Sequence, residues 1–386
     1  MSDVIIAGIG ETPVGEHYTS SLRGLALDAI EIARKDAPGL EPDIMFVANM
    51  LAPAVSHQAH LATLLADHAG LRGIEASTIE AGGASGGAAL RMAYLAVTAG
   101  QAKVALVVGV EKVTDQLGPR AEAAQMLSTD SDFEAVQGLT PIAQAALLMQ
   151  RYLHEYHPPR LAFGGFPRVA HANAVTNPFA MYRSPLSAEA YSQASLVSNP
   201  LNLFDVAPVA DGAAALLITR RDLLPPDFPH PLVRISGSSH ATDRLALHDR
   251  SDLLAFSAAR YSVEQACRRA GIRPGDVDLF ELYDATSITA ALSLEAAGFA
   301  ERGRGWQMAQ DEQLGLTGLL PIATFGGLKA RGNPGGATGL YQAVEAALQL
   351  RGQAGPNQVA NAGRALIQCL SGPASSAVTH VLERLG

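Results

Sequence analysis

The chain has 386 residues, of which 48% are hydrophobic and 17% charged, and a net charge of −9. That is enough apolar material for a large core spread over two or three structural units. The absence of a long basic run argues against nucleic-acid binding, which needs clustered Lys and Arg to neutralise phosphates, and no uninterrupted run of about 18 apolar residues predicts a membrane span.

The first residues, Met1-Ser2-Asp3-Val4-Ile5-Ile6, lack the basic start and long apolar core of a signal peptide. Residues 4–9 are continuous and β-branched, which predicts a buried strand. Leu22, Leu25, Ala26, Ala29, Ile32 and Ala33 recur at spacings of three and four and predict a helix over 20–36, with alanine at the centre of the stripe implying close packing. A strand at 43–48, a helix at 85–99 with Leu90, Ala93, Tyr94 and Val97 on one face, and a strand at 103–110 follow. This alternation predicts an α/β sheet covered on both faces. Residues 116–205 break the rhythm, with one clear helix near 142–154, and are expected to form an insertion or cap. A strand at 213–219 and a linker at 222–231 with four prolines close the first half.

The second half repeats the first. A strand is predicted at 232–237, a helix at 254–270, a strand at 277–282, a helix at 339–350, and strands at 364–370 and 375–382. In both halves the first helix runs through a glycine, a proline and an aspartate into the next strand: Gly39-Leu40-Glu41-Pro42-Asp43 and Gly271-Ile272-Arg273-Pro274-Gly275-Asp276. Duplication is therefore expected, with one half spanning 1–225, including the 116–205 insertion, and the other 226–386.

Four segments place glycine and polar residues at strand ends, where backbone N–H groups and helix dipoles can meet an anion. They are Ile79–Ala89, Phe280–Ser287, Phe325–Gly339 and Cys369–Pro373. The first has no Gly-x-Gly-x-x-Gly spacing, so a dinucleotide site is disfavoured. The second carries Tyr283 and Asp284 at the carboxyl end of a buried strand, where α/β active sites gather; the alternative is that Tyr283 packs and Asp284 caps the next helix. The third holds six glycines and must be a loop. Lys329 and Arg331 within it are either phosphate ligands or solvated charges. His154-Glu155-Tyr156-His157 is not a His-Glu-x-x-His zinc motif, so no metal is expected. His57, His60 and His68 are expected at the surface, and Cys267 and Cys369 as free thiols of a cytoplasmic protein.

On these segments, together with Gly8-Ile9-Gly10-Glu11-Thr12 and Asp211-Gly212-Ala213-Ala214-Ala215, nearly the whole chain resembles the thiolases, in particular the sterol-carrier-protein-type branch. The resemblance implies a duplicated α/β fold of two mixed sheets in five αβαβα layers with pseudo-twofold symmetry. It also implies a homodimer and an acyl-CoA substrate, with no further cofactor. The family's Glu-Ala-x-Cys-Ala-Ser-Gly-Gly motif has its nucleophilic Cys where this chain has Gly83. The histidine of Gly-His-Pro-x-Gly-Ala-Thr-Gly is replaced by Asn333, and that of His-Asp-x-Phe by Tyr283. Cys369 matches the family's second, acid/base cysteine. Without a side chain at position 83 no acyl-enzyme can form there. Steroid side-chain aldolases resemble this pattern in having glycine at the nucleophile position and a Tyr-Asp-x-Phe motif. They work with a small partner built of an OB-fold and a zinc ribbon. This chain differs from them in having Thr286 in place of the phenylalanine.

The expected catalytic residues are thus Tyr283, Cys369, Asn333 and Asp284, and the expected oxyanion and substrate-binding positions are Gly83, Ser85, Gly86, Gly327 and Gly372. Three functions compete: a lyase of the aldol or retro-aldol type, with Tyr283 as general base; an acyltransferase that uses Cys369 or a partner's acyl donor; and a non-catalytic acyl-CoA-binding subunit. The first implies a place in lipid or steroid degradation.

Overall fold

The computed structural model describes residues 3–159, 161–310 and 313–386. Eleven strands are formed among them: β1 Val4–Glu11, β2 Ile44–Ala48, β3 Glu75–Ile79, β4 Val104–Glu111, β5 Leu196–Ser198, β6 Leu201–Asn202, β7 Gly212–Arg220, β8 Val233–Thr242, β9 Leu279–Glu281, β10 Arg364–Ser371 and β11 Ser376–Arg384. The helices are α1 Leu22–Asp36, α2 Ala52–Val55, α3 Leu61–His68, α4 Ser85–Thr98, α5 Gly118–Gln125 and α6 Pro141–Tyr156, then α7 Gly165–Ala174, α8 Ala188–Gln193, α9 Ser257–Ala270, α10 Ser287–Ala296, α11 Gly305–Gln310 and α12 Thr338–Arg351.

Nine strands form one mixed sheet in the order β3-β2-β4-β7-β1-β8-β11-β10-β9, and β5 with β6 forms a separate small one. Where two large sheets were expected, the halves are joined by a single register pair, Ile5 with Arg234, between β1 and β8. Outward from β1, the neighbours β7, β4 and β2 pair antiparallel, antiparallel and parallel. Outward from β8, the neighbours β11, β10 and β9 repeat that pattern.

Local chemistry explains the elements that position the site. Ser21 caps α1 by accepting from the Gly24 amide at 3.1 Å. The buried stripe of α1 is Leu22, Leu25, Ala26, Ala29, Ile30 and Ala33; Ile32 faces outward instead. The alanine centre of that stripe lets β1 approach so closely that a Cβ on Gly8 or Gly10 would stand 2.4 Å from an α1 carbonyl oxygen. Between the halves, α4 packs against β2, β4, β8 and β11, and α12 against β1, β7, β10 and β11. The 116–205 segment supplies α5 to α8 and the small sheet. Within it, Thr140 caps α6, and Pro141 sits at the first helical position, where its missing N–H costs nothing.

Candidate active site

The carboxyl ends of β9 and β10, the N-terminus of α4 and the glycine-rich loop before α12 meet at one cavity of about 100 Å³. Gly83, Tyr283, Asn333 and Gly372 line it. The rest of its wall is mainly apolar, including Met50, Leu51, Val113, Ile142, Val206 and Pro373. The cavity thus brings together four of the nine residues expected from sequence. The other five stand behind its wall.

Gly83 lies two residues before α4, next to its N-cap Ala84. A Cβ placed there would lie 2.3 Å from the Tyr283 hydroxyl and 2.6 Å from the Leu370 carbonyl oxygen. The tyrosine hydroxyl therefore occupies the volume that a side chain at position 83 would need. Tyr283 is only 6% exposed. Burial pushes its pKa well above the usual phenol range, Cys369 and Asp284 push the same way, and the Asn333 side chain pulls it back in part. The phenol is therefore protonated near neutrality.

Asn333 is held from three sides. Its amide donates to the Pro208 carbonyl at 3.0 Å, its carbonyl accepts from Ala210, and its Oδ1 accepts from the Thr338 hydroxyl at 3.0 Å. With Oδ1 so engaged, Nδ2 is the remaining donor on the side chain.

Ser85 and Gly86 serve the turn into α4. The Ser85 hydroxyl donates to the Gly82 carbonyl and accepts from the Ala81 amide. A Cβ on Gly86 would meet the Gly339 and Leu340 amides at 2.9 Å, so its small size lets the N-termini of α4 and α12 touch. Cys369 is fully buried beneath them, with Gly87 and Gly339 against its sulfur and a hydrogen bond to Gln342 Oε1 at 3.2 Å. Burial pushes its thiol up to about 12, leaving it protonated.

Asp284 does not cap a helix; Thr286 caps α10, in a capping box with Thr289. Asp284 instead accepts from the Leu328 amide at 2.7 Å and abuts Gly327, at whose position a Cβ would strike both carboxylate oxygens. Gly326, Gly327 and Gly332 have φ of 107°, 51° and 112°, and frame a π-helical turn over Gly327–Arg331. Neither cation of this turn is solvated. Lys329 donates to the Asp205 carbonyl at 2.7 Å, and Arg331 pairs with Glu345 at 2.6 Å and lies over the Tyr341 ring. His57, His60 and His68 are exposed, and both cysteines are free and buried.

With this geometry in hand, known proteins place the chain. The family "Thiolase, N-terminal domain" matches residues 4–182 and "Thiolase C-terminal domain-like" matches residues 239–384. An acetyl-CoA acetyltransferase of Methanothermobacter thermautotrophicus is 36% identical over 386 residues, covering all of both chains. The chain belongs to the thiolase family. A steroid side-chain-cleaving aldolase of Thermomonospora curvata is 28% identical over 354 residues, 88% of each chain. Among solved structures, "Ltp2-ChsH2(DUF35) aldolase" superposes with a TM-score of 0.83 at 26% identity, over 99% of this thiolase-family chain and 98% of the other. Human mitochondrial 3-ketoacyl-CoA thiolase gives a TM-score of 0.75 at 16% identity, over 100% and 99%, which speaks for the fold alone. The site's departures therefore sit in an otherwise complete thiolase frame. No helix among the described residues is long and apolar enough to cross a membrane.

Proposed function

We propose that this protein makes or breaks a carbon–carbon bond in a β-hydroxyacyl-CoA by aldol chemistry, without a covalent acyl-enzyme. The observation that carries this reading is the Tyr283 hydroxyl standing in the space of the missing nucleophile. A Cys is the nucleophile that ordinary two-step acyl transfer needs. Here the same place offers a phenol, an amide from Asn333 and the backbone of an α4 N-terminus. Those groups suit an enolate: the helix end and Asn333 stabilise the thioester oxygen as it gains charge, while Tyr283 exchanges a proton with the β-oxygen. In the bond-forming direction, the phenol gives its proton to the developing alkoxide and takes up the one that the α-carbon loses. In the cleaving direction, it takes up the β-hydroxyl proton and gives its own to the α-carbon as the bond between the α- and β-carbons breaks, so it ends protonated as it began.

The experiment is a panel of β-hydroxyacyl-CoA and β-ketoacyl-CoA thioesters followed by mass spectrometry, with and without free CoA. An aldehyde or ketone plus a shortened CoA ester, released without free CoA and lost in Tyr283→Phe, is the expected result. Full activity in Tyr283→Phe would sink the role given to this residue. Cleavage that depends on free CoA would move the protein to the second reading, thiolytic acyl transfer, which the 36% identity to an acetyl-CoA acetyltransferase favours. That reading predicts an acyl adduct on Cys369.

The same proposal includes two associations. The exposed edge strand β3 offers unpaired backbone to a second copy, in keeping with a homodimer. The similarity to an aldolase described with a DUF35 component supports a small OB-fold and zinc-ribbon partner here too. It also includes the five-layer, pseudo-twofold arrangement, supported by the repeated strand pairing and by α4 and α12 lying between the halves.

A further inference from the structure

Two stretches of the cavity lining come from different halves of the chain. Met50 and Leu51 follow β2, and Gly335 stands between Asn333 and the start of α12. Both stretches are turns, and turn amides need acceptors from elsewhere.

One carboxylate supplies them. Glu111 is the last residue of β4 and is 0% exposed. Its Oε1 accepts from the Leu51 amide at 3.0 Å and from Asn49 Nδ2 at 2.8 Å. Its Oε2 accepts from the Met50 and Gly336 amides, each at 3.0 Å. Asn49 extends the clamp: Nδ2 also donates to the Val110 carbonyl at 2.7 Å, and Oδ1 accepts from the Ala52 amide at 2.8 Å. The two turns press directly on this group and on each other. A Cβ on Gly335 would stand 2.9 Å from Glu111 Oε2, and one on Gly336 would stand 2.9 Å from the Met50 nitrogen.

Burying a charge among neutral donors is expensive, and four donors offset that cost only while all four converge. An amide cannot replace the carboxylate. Glutamine offers one acceptor oxygen, and its NH2 group would face two N–H donors. The carboxylate therefore fixes the spacing of the two turns, and Glu111 itself does not line the cavity.

We propose that Glu111 is a positioning residue for substrate binding, which sets the Met50–Leu51 wall against the Gly335–Gly336 turn so that the cavity fits the acyl group of a CoA thioester. This rests on the reading that the cavity takes an acyl-CoA, and it holds for aldol and thiolytic chemistry alike. Glu111 acts through Met50, Leu51 and Gly335.

The test compares wild type with Glu111→Gln and with Met50→Ala. Glu111→Asp, which keeps the charge but draws it back by one methylene, serves where Glu111→Gln does not fold. Dissociation constants of butyryl-CoA and of free CoA are measured by calorimetry at pH 8, where the Glu111 carboxyl, pushed up to about 7 by burial, is ionised. Their ratio isolates the share of binding that the acyl group contributes. Turnover of 3-hydroxybutyryl-CoA is followed by mass spectrometry. Expected is a wild type that prefers butyryl-CoA, and variants that lose about tenfold of that preference while free CoA binds as before. A purely structural Glu111 would lower the melting temperature and leave the ratio at its wild-type value, which overturns the proposal and leaves the acyl-CoA reading intact. An unchanged ratio in Met50→Ala would also overturn it, because the wall that Glu111 holds would then not meet the acyl group. A wild type without any preference for butyryl-CoA over CoA overturns both. Loss of the preference in the variants, with no turnover of the hydroxyacyl ester by wild type, removes the aldol reading and supports the positioning role.

Discussion

Tyr283 and Gly83 are a pair rather than two separate departures from the family motif. Restoring the nucleophile by Gly83→Cys would force a Cβ to within 2.3 Å of the tyrosine hydroxyl and 2.6 Å of the Leu370 carbonyl. Overpacking of that kind costs about 1–3 kcal/mol, so the single variant should melt below wild type and gain no thiolase activity. Replacing Tyr283 by Ala opens the space, and the cost of Gly83→Cys should shrink in that background. A double-mutant cycle on thermal stability measures the coupling, and strict additivity would mean that the two side chains do not compete. Sequence comparison finds each substitution, because Gly83, Tyr283 and Asn333 fall in register with recognisable motifs. It does not find the collision, since positions 200 residues apart share no spacing signal.

At the scale of elements, the glycine-rich loop is held by charges that the sequence does not show as buried. Lys329 and Arg331 sit amid six glycines and look like solvent or phosphate ligands, yet both are enclosed. Arg331 is paired with Glu345, which reaches it from α12 at 2.6 Å. Removing one partner of a buried pair leaves the other uncompensated, at about 3–5 kcal/mol. Glu345→Leu should therefore lower the melting temperature substantially and loosen Asn333, two residues beyond Arg331. Next to this pair, Glu281 is buried, and its carboxyl is pushed up to about 8, first by burial and then by the Glu345 charge. A folded-state value above the unfolded one makes stability greatest in mild acid. That contribution is lost as pH rises from the ordinary carboxyl range through about 8. Melting temperature should fall across that window, and Glu281→Gln should flatten the fall; an equal slope in the variant would assign the effect to other groups. Elsewhere, periodicity located α1, α4, α9 and α12 and most strands of the large sheet. It missed β3, because Glu75-Ala76-Ser77-Thr78-Ile79 is an edge strand whose residues are exposed or half-buried, and so shows neither a buried run nor clean alternation. In the 116–205 segment it located α6 alone, because the other helices there are short, and Gly, Pro and His interrupt their patterns.

At the scale of the whole molecule, the repeat visible in the sequence invites a division at 225/226, but the packing opposes any division into independent parts. Helix α12 belongs to the second half, and all but one of its 14 residues are buried. A helix enclosed on all sides needs cover on all sides, and part of that cover is β1, β7 and α4 from the first half. Its last residue, Arg351, reaches across to donate to the Ala7 carbonyl at 2.8 Å and to Asp36 Oδ2 at 2.7 Å. The guanidinium thus ties α12 to both β1 and α1, and the Arg351 side chain is itself buried. Residues 226–386 expressed alone should then expose the α12 face that normally meets β1 and β7, bind a hydrophobic dye and show no cooperative melt. Full-length protein should unfold in a single transition by both far-ultraviolet and near-ultraviolet circular dichroism. Arg351→Met should lower that transition as one unit, because the contact it breaks is shared by the two halves. Two resolved transitions in the full chain, with only the second displaced by Arg351→Met, would show that the halves fold separately. The active site would then be an interface between two stable bodies rather than part of one shared core.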